Sequence, residues 1–258
     1  MDTLSVKEIC SLLASAPAHD LPTLLLRFSP DTRSGVVAAT RRAARRMEAH
    51  DRESNRLLAL AQIEHALIDA GCVFVAGVDE VGRGALAGPV TAAACVFGRD
   101  THVEGVRDSK TLSPQAREVL AAEIVRRATA TCVAHVSPAE IDRIGIQAAT
   151  HNAMRVAVRG LGLTVDHVVV DGSPVSFGLP STAIVRGDGR VRAIAAASII
   201  AKVARDALMV EMDPLYPGYG LGANKGYGSA EHMEAIREIG PSPIHRRSFA
   251  PCSGLTLF

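Results

Sequence analysis

The pattern of apolar runs after residue 71 most constrains how this chain of 258 residues can fold. Short runs rich in Val, Ala and Ile are bounded by Gly, Asp and Pro, which is typical of buried strands. They alternate with longer segments of helical spacing, so we predict an α/β fold with a mixed sheet flanked by helices. The predicted strands are Val73–Val78, Pro89–Phe97, Thr131–Val136, Val168–Val170 and Thr182–Val185, and the predicted helices are Pro114–Ala128, Pro138–Arg159, Ala193–Met212 and Ser229–Glu238.

The segment before this pattern has a different composition, and we predict an N-terminal helical extension over residues 1–70 ahead of a main domain over residues 71–258. Residues 35–70 are rich in Ala, Arg, Glu and Leu and contain no Pro. Two interpretations remain open, a helical hairpin packed on the main domain with a solvated arginine face, or an arm that contacts nucleic acid. The arginines of that face are Arg41, Arg42, Arg45 and Arg46.

The overall composition excludes several classes of protein. A net charge of +1 argues against a strongly basic nucleic-acid coat, although a local basic groove remains possible. The five cysteines are scattered without a C-x-x-C pair, so we expect reduced, buried thiols and no zinc site. The N-terminal sequence does not resemble a secretory signal, and no apolar run reaches the roughly 20 residues that span a bilayer. We therefore expect a cytoplasmic protein that binds no membrane.

Acidic residues follow three of the apolar runs. Asp79 and Glu80 end the first run and are followed by Gly82-Arg83-Gly84. Asp171 ends the run of three valines, and Asp188 follows the run Thr182–Val185 in the segment Arg186-Gly187-Asp188-Gly189. Two adjacent carboxylates at a buried strand end repel each other, so a bound cation usually compensates them. The alternatives are an acidic turn for the first pair, a helix or turn cap for Asp171, and a surface turn for Asp188.

These four carboxylates, taken together, indicate a metal site. Hard divalent ions such as Mg²⁺ and Mn²⁺ prefer oxygen ligands, and four carboxylates can hold two ions about 4 Å apart. Two ions at that distance stabilise both the attacking and the leaving oxygen in the cleavage of a phosphodiester. We therefore expect a two-ion Mg²⁺ or Mn²⁺ site formed by Asp79, Glu80, Asp171 and Asp188.

Further along the chain are groups suited to binding phosphate. Ser109 and Lys110 offer a hydroxyl and an ammonium group, and Ser198, Lys202 and Arg205 form one polar stripe on an otherwise apolar helix. For Lys202 the alternative is an ion pair with Asp206, one helical turn away. All three tyrosines, among them Tyr227, lie in a glycine-rich loop over residues 216–228 that lacks the ending of a Walker A loop.

The motifs in their order resemble those of the ribonuclease HII family. The resemblance extends from about residue 71 to residue 249, and the Gly82-Arg83-Gly84 form distinguishes it from the sister ribonuclease HIII group. The motifs are Asp79-Glu80-Val81-Gly82-Arg83-Gly84, Asp108-Ser109-Lys110, Val170-Asp171-Gly172, Ala195-Ala196-Ala197-Ser198-Ile199-Ile200-Ala201-Lys202-Val203, Lys225-Gly226-Tyr227-Gly228 and His245-Arg246-Arg247-Ser248-Phe249.

The resemblance implies a ribonuclease H-like fold, with the four carboxylates named above as metal ligands. It implies hydrolysis of RNA in RNA–DNA hybrids and incision 5′ to a single ribonucleotide in duplex DNA, which leaves 3′-hydroxyl and 5′-phosphate ends. Backbone groups of Gly82, Arg83 and Gly84 can then approach the ribose 2′-hydroxyl, which distinguishes RNA from DNA. The resemblance also implies that Tyr227 contacts this ribose and that its ring packs on the sugar that follows the ribose. Lys110 and Lys202 bind phosphates, and Ser198 belongs to the same substrate site.

Three rival interpretations are weaker. A binding module that has lost catalysis should lack a carboxylate, and all four are present. A nucleotide phosphotransferase should carry a phosphate loop or a base pocket, and the sequence shows neither. A purely structural protein has no reason to bring four carboxylates together. We expect a monomeric enzyme whose partners are RNA–DNA hybrids and ribonucleotide-containing duplex DNA. The sequence identifies no protein partner.

Overall fold

The structure is a computed structural model, and it describes residues 4–107 and 109–253. Its contacts divide the chain into two compact units, residues 1–59 and residues 60–258. The division falls inside one continuous helix, α3 (Ser34–Asp69). The composition suggests a boundary after residue 70, and that boundary stays a prediction. Helix α3 runs without interruption through residues 59 and 60, so no linker marks the end of the first unit.

The first unit confirms the predicted helices before residue 70. Helix α1 (Val6–Ser15) begins with a capping box in which Ser5 and Glu8 bond each other's backbone N–H groups. Helix α2 (Leu21–Phe28) follows, and its apolar side chains pack with those of α1 and of the start of α3. The buried residues of this core are Ile9, Leu13, Leu21, Phe28, Val36, Ala39 and Ala43.

Arg46 is exposed, as expected of the solvated arginine face, but its side chain is held by the backbone. Its guanidinium group donates hydrogen bonds to the carbonyls of Leu13, Ala14 and Ala16, at distances of 2.6 to 2.9 Å. These carbonyls lie at the C-terminal end of α1, where backbone acceptors lack a partner within the helix. Arg46 therefore caps α1, and the remaining arginines of that face, Arg41, Arg42 and Arg45, are exposed.

The second unit contains the predicted mixed sheet. Its five strands stand in the order β3-β2-β1-β4-β5. Strand β2 is antiparallel to both of its neighbours, β1 and β3, whereas β4 is parallel to both of its neighbours, β1 and β5. The central strands are buried, as the apolar runs predict. The strands are β1 (Val75–Val81), β2 (Val90–Val96), β3 (Ala130–Val136), β4 (His167–Asp171) and β5 (Ser181–Ile184).

The helices after α3 lie between and after the strands along the chain, and one prediction about them is wrong. The long helix expected over residues 138–159 is divided at Gly145, whose φ of 81° lies outside the helical region. The other predicted helices agree within one or two residues. The helices are α4 (Pro114–Arg127), α5 (Pro138–Ile144), α6 (Ile146–Arg159), α7 (Arg192–Met212), α8 (Leu221–Asn224) and α9 (Ala230–Ile239).

Helix α7 lies directly against β1, because Gly77 of β1 has no side chain. A Cβ atom at Gly77 would lie 2.2 Å from the backbone of Ala193. The N-terminus of α7 is fixed by Glu64, a buried residue that accepts hydrogen bonds from the Ala193 N–H and from the Arg192 side chain. This packing places the polar residues of α7 beside the end of β1.

Two expectations about cysteines and membranes can be compared with the structure. All five cysteines are free thiols. The expectation that they are buried is correct for Cys95 and Cys252 and wrong for the other three, which are half-buried. Within the described ranges, the structure has no helix with the length and apolarity needed to cross a membrane.

Candidate active site

The ends of β1 and β4 bring three of the predicted acidic residues to one cavity. Asp79 and Glu80 pair with Ala93 and Ala92 of β2, and the register continues without a bulge. Asp171 ends β4, the parallel neighbour of β1. All three line a cavity of about 270 Å³, as expected at the carboxyl ends of parallel strands. We call Asp79, Glu80 and Asp171 the acidic cluster.

The acidic cluster is electrostatically unfavourable. Burial raises the pKa of Asp79 well above its usual value, and the negative charges of Glu80 and Asp171 raise it further. Hydrogen bonds from the Ser198 hydroxyl and the Glu80 N–H oppose this rise in part. Burial likewise raises the pKa of Glu80, although the nearby Arg83 side chain lowers it. A bound cation would remove the repulsion between these carboxylates.

Asp188 lies close to this cavity but has a partner of its own. It is held in a short 3₁₀ turn over Gly187–Gly189, and its carboxylate lies 3.5 Å from the Lys110 ammonium group. The same turn is tied to the acidic cluster, because the Gly187 N–H donates to the Asp171 carboxylate at 2.5 Å. Lys110 itself lines the cavity. Asp188 thus lies in a turn, but it is buried and not on the surface, and its role as a metal ligand stays a prediction.

The donor set fits a divalent cation by its chemistry, although the carboxylates are not gathered into a finished cage. Among residues 4–107 and 109–253, no three His, Cys, Asp or Glu side chains converge closely enough to hold a metal ion. Each carboxylate has a protein donor instead. However, the ligands available are oxygen atoms of acidic residues that repel one another, which is the set that Mg²⁺ and Mn²⁺ prefer.

Cationic and aromatic side chains line the rest of the cavity. Lys202 pairs with Asp206 at 2.8 Å, so the ion pair considered from the sequence is present, yet Lys202 also faces the cavity. Its ammonium group lies 5.5 Å from the centre of the Tyr227 ring. Tyr227 and Arg117 line the same cavity. Of the motif Asp108-Ser109-Lys110, Asp108 lies outside the described residues.

Ser198 is mostly buried but lines the cavity. Its hydroxyl group lies 3.0 Å from that of Ser109 and bonds to the Asp79 carboxylate. Ser198 therefore acts on Asp79 in this geometry, and the substrate contact expected from the sequence stays a prediction. Ser109 is also mostly buried, and the two serines lie side by side in the wall of the cavity.

The turn Gly82-Arg83-Gly84 follows β1 and is held from below by buried arginines. A Cβ atom at Gly82 would lie 2.2 Å from Nε of Arg205, and the φ of Gly82 is 88°. At Gly84 a Cβ atom would meet nothing within 4 Å, so this part of the backbone is accessible to a ligand. The Arg83 side chain is half-exposed and lies 3.3 Å from Glu80.

Arg205 and Arg246, which we call the arginine frame, hold this turn to the Tyr227 loop. Arg205 donates to the carbonyls of Ala87, Pro89 and Lys225, whereas Arg246 donates to those of Arg83 and Gly88. Both side chains are fully buried. Arg205 was expected to offer its charge to phosphate, and that expectation is wrong because backbone carbonyls use its donors. Burial and the charge of Arg205 lower the pKa of Arg246.

Two histidines continue this support beneath Tyr227. Nδ1 of His232 lies 2.8 Å from the Tyr227 carbonyl and must donate to it, so Nε2 of neutral His232 is an acceptor. His245 then donates through Nε2 at 3.0 Å, and its Nδ1 accepts from the N–H and hydroxyl groups of Ser242. Both histidines are buried, and burial lowers both pKa values, to about 4 for His245.

The sequence analysis missed Arg246, His232 and His245 as supports of the site. The motif His245-Arg246-Arg247 was singled out only by resemblance, because charged residues near the end of a chain are usually exposed. No periodic pattern in the sequence indicates that Arg246 is buried. Its partners are backbone carbonyls, which leave no trace in side-chain composition.

Solved structures define the class to which this fold and site belong. Ribonuclease H2 from Pyrococcus horikoshii is 28% identical and has a TM-score of 0.59, covering 70% of this chain and 95% of its own. The ribonuclease HII of the PCNA:RNase HII complex from Archaeoglobus fulgidus is 27% identical with a TM-score of 0.59, covering 69% and 95%. These similarities show that the chain has the fold of the ribonuclease H-like class.

Sequence comparisons make the assignment specific. Residues 76–252 match the family described as ribonuclease HII, and residues 5–68 match the ribonuclease HII N-terminal domain. A ribonuclease HII from Enterococcus faecalis is 43% identical over 96% of this chain and 95% of its own length. Another from Geobacillus kaustophilus is 43% identical over 97% and 96%. The chain belongs to the ribonuclease HII family, a family of endonucleases that act on RNA–DNA hybrids.

Proposed function

We propose that this endoribonuclease also incises duplex DNA on the 5′ side of a single embedded ribonucleotide, leaving 3′-hydroxyl and 5′-phosphate ends. The observation that carries the proposal is the shared cavity, where the acidic cluster lies beside Lys110, Lys202 and Tyr227. Acidic groups suited to a metal ion and cationic groups suited to phosphates occur together there. The exposed backbone at Gly84 lies in the turn that follows β1.

The proposed ligands of two Mg²⁺ or Mn²⁺ ions are Asp79, Glu80, Asp171 and Asp188. When bound, the ions supply a nucleophilic water and neutralise charge on the leaving 3′ oxygen. Asp79 is oriented by the Ser198 hydroxyl, and Asp171 by the Gly187 N–H. Metal binding would compete with Lys110 for Asp188, so that Lys110 becomes available to a phosphate.

Recognition of the ribose is assigned to backbone groups rather than to base contacts. The N–H and carbonyl groups of Gly82, Arg83 and Gly84 would bond the 2′-hydroxyl, which DNA lacks. Tyr227 would pack against the next sugar, and its loop is held by Arg205 and His232. Lys110 and Lys202 would bind phosphates, which position the duplex without reading its sequence. We therefore expect no base-sequence specificity.

The test is cleavage of a labelled duplex that contains one ribonucleotide, with the ends mapped and with or without Mn²⁺. We expect a single cut on the 5′ side of the ribonucleotide, and no cut in the matched all-DNA duplex. A cut on the 3′ side, or equal cutting of the all-DNA duplex, would contradict the proposal. The cut should be absent without a divalent ion.

We further propose that the enzyme acts as a monomer in the cytoplasm. The absence of a spanning helix among the described residues is compatible with this proposal. Light scattering of the full chain should give a mass near 27.1 kDa. A mass near twice that value would contradict the monomer, and recovery in a membrane fraction after cell breakage would contradict the location.

A further inference from the structure

The guanidinium group of Arg117, on α4, is held by two backbone carbonyls and lies near one carboxylate. Nε donates to the carbonyl of Ser109 at 3.0 Å, and Nη2 donates to the carbonyl of Leu112 at 2.9 Å. Nη1 lies 4.0 Å from the carboxylate of Asp206, on α7. The side chain is only 11% exposed. A planar guanidinium can satisfy all three directions at once, which an ammonium group cannot do.

These three acceptors flank the two lysines of the cavity. Ser109 and Leu112 border the short 3₁₀ turn that carries Lys110, whose side chain is 81% exposed. Asp206 accepts a hydrogen bond from Lys202 at 2.8 Å. Arg117 therefore connects the backbone that carries one lysine with the carboxylate that holds the other.

We propose that Arg117 is a positioning residue that directs Lys110 and Lys202 toward the phosphates of the duplex. The proposal rests on the proposed function, in which these lysines bind phosphates. Without Arg117, the turn carrying Lys110 loses its bonds from α4. The charge of Asp206 then acts on Lys202 alone and holds it away from a phosphate. Both lysines would contribute less to binding, although both remain in the chain.

A direct contact between Arg117 and a phosphate is the competing explanation. Arg117 lines the active-site cavity and also an adjoining cavity of about 600 Å³, whose walls include Lys202 and Tyr227 as well. A positively charged group at that place could reach the substrate. Two of its five N–H groups, however, already donate to backbone carbonyls and fix the plane of the guanidinium group, so the geometry favours the positioning role.

The test measures binding of a fluorescent ribonucleotide-containing duplex by anisotropy in EDTA, over a series of salt concentrations. The variants are Arg117→Gln and Arg117→Lys, each made in the wild-type chain and in a Lys110→Ala, Lys202→Ala chain. Arg126→Gln is the matched control, since Arg126 lies on the same helix and is exposed and paired with Glu123. Thermal unfolding of every variant is recorded in the same buffer.

We expect Arg117→Gln to weaken binding about tenfold and to reduce the slope of log K against log salt by about one to two. Arg117→Lys should behave in the same way, because it keeps the charge but loses the two carbonyl bonds. In the chain that lacks both lysines, either change should alter binding less than twofold. Arg126→Gln should leave binding unchanged.

Three results would overturn the proposal. Retention of wild-type binding by Arg117→Lys, or a further loss in the chain without the lysines, would assign a direct phosphate contact to Arg117. A fall in the unfolding temperature without a change in salt slope would assign a purely structural role. Because binding is measured without metal, failure of the wild-type chain to incise the duplex would instead refute the proposed function.

Discussion

The strand ends that carry the acidic cluster and the loops held by the arginine frame differ in how their polar groups are satisfied. Carboxylates of like charge are buried together at the strand ends, which raises the pKa of Asp79. In the loops, Arg205 and Arg246 donate to five backbone carbonyls. The first region has a surplus of negative charge that a cation would compensate, whereas in the second most of the buried donors have acceptors. Among the described residues, Nη2 of Arg246 is a buried donor without a partner.

Removing Arg205 should break the frame and have the largest effect on stability. Arg205→Met leaves the carbonyls of Ala87, Pro89 and Lys225 without a donor, at a cost of about 1–3 kcal/mol for each unsatisfied group. We expect a loss of several kcal/mol in the free energy of unfolding, measured by urea denaturation. Arg159→Met, at an exposed position of α6, is the control and should change it by less than about 0.5 kcal/mol.

Gly226→Ala should break the frame at a single backbone contact. A Cβ atom there would lie 2.4 Å from the Ala87 carbonyl oxygen, and the φ of Gly226 is 78°. The control is Gly162→Ala, which has a φ of 71° but no neighbour within 4 Å. Positive φ alone costs about 1–2 kcal/mol, so the excess in Gly226→Ala measures the contact. Equal losses of unfolding free energy in the two variants would show that the contact is unimportant.

The histidine pair makes the frame sensitive to acid. Burial lowers the pKa of His245 from its usual value of 6.5 to about 4, so His245 is neutral in the folded state near neutral pH. Its folded pKa is lowered, so the unfolded chain binds more protons in this range. Stability should therefore be full above pH 6.5 and should fall as the pH drops toward 4. His245→Asn should flatten the dependence of unfolding temperature on pH between these values, and an unchanged profile would contradict the assignment.

The exposed arginines of α3 should show the smallest effect. Arg41, Arg42 and Arg45 are exposed, and unlike Arg46 they do not cap α1. Replacing all three with Ser should lower the slope of log K against log salt for duplex binding by less than one. An unchanged slope and KM would remove the nucleic-acid arm from consideration. Arg46→Ser, in contrast, should lower stability without changing the slope.

The sequence predicted the sheet and the acidic residues because both depend on local patterns. The valine run before Asp171 and the run before Asp79 identify buried strands, and a carboxylate at each strand end identifies the candidate site. Gly145 was missed as the end of α5, since the residues on either side keep helical spacing. Glycine within a helix is tolerated often enough that its position alone does not predict a break.

The supporting residues were harder to predict, because their partners are backbone atoms distant in sequence. Arg205 was placed correctly on the helical stripe with Ser198 and Lys202, but the sequence gives no indication that it turns inward. Arg117 and Arg246 bond carbonyls of loops whose conformation only the folded chain defines. The division of α3 between two compact units is equally invisible, since no Gly or Pro marks it.

Titration of Mn²⁺ into the wild-type chain and into Asp79→Asn, by calorimetry with parallel cleavage assays, tests the central claim most directly. We expect wild-type binding of two ions, and in Asp79→Asn a loss of at least one together with a fall in cleavage of about 1000-fold or more. The variant should fold at least as stably, because a buried negative charge is removed. Wild-type Mn²⁺ affinity in Asp79→Asn would contradict the assignment of the acidic cluster as the metal site.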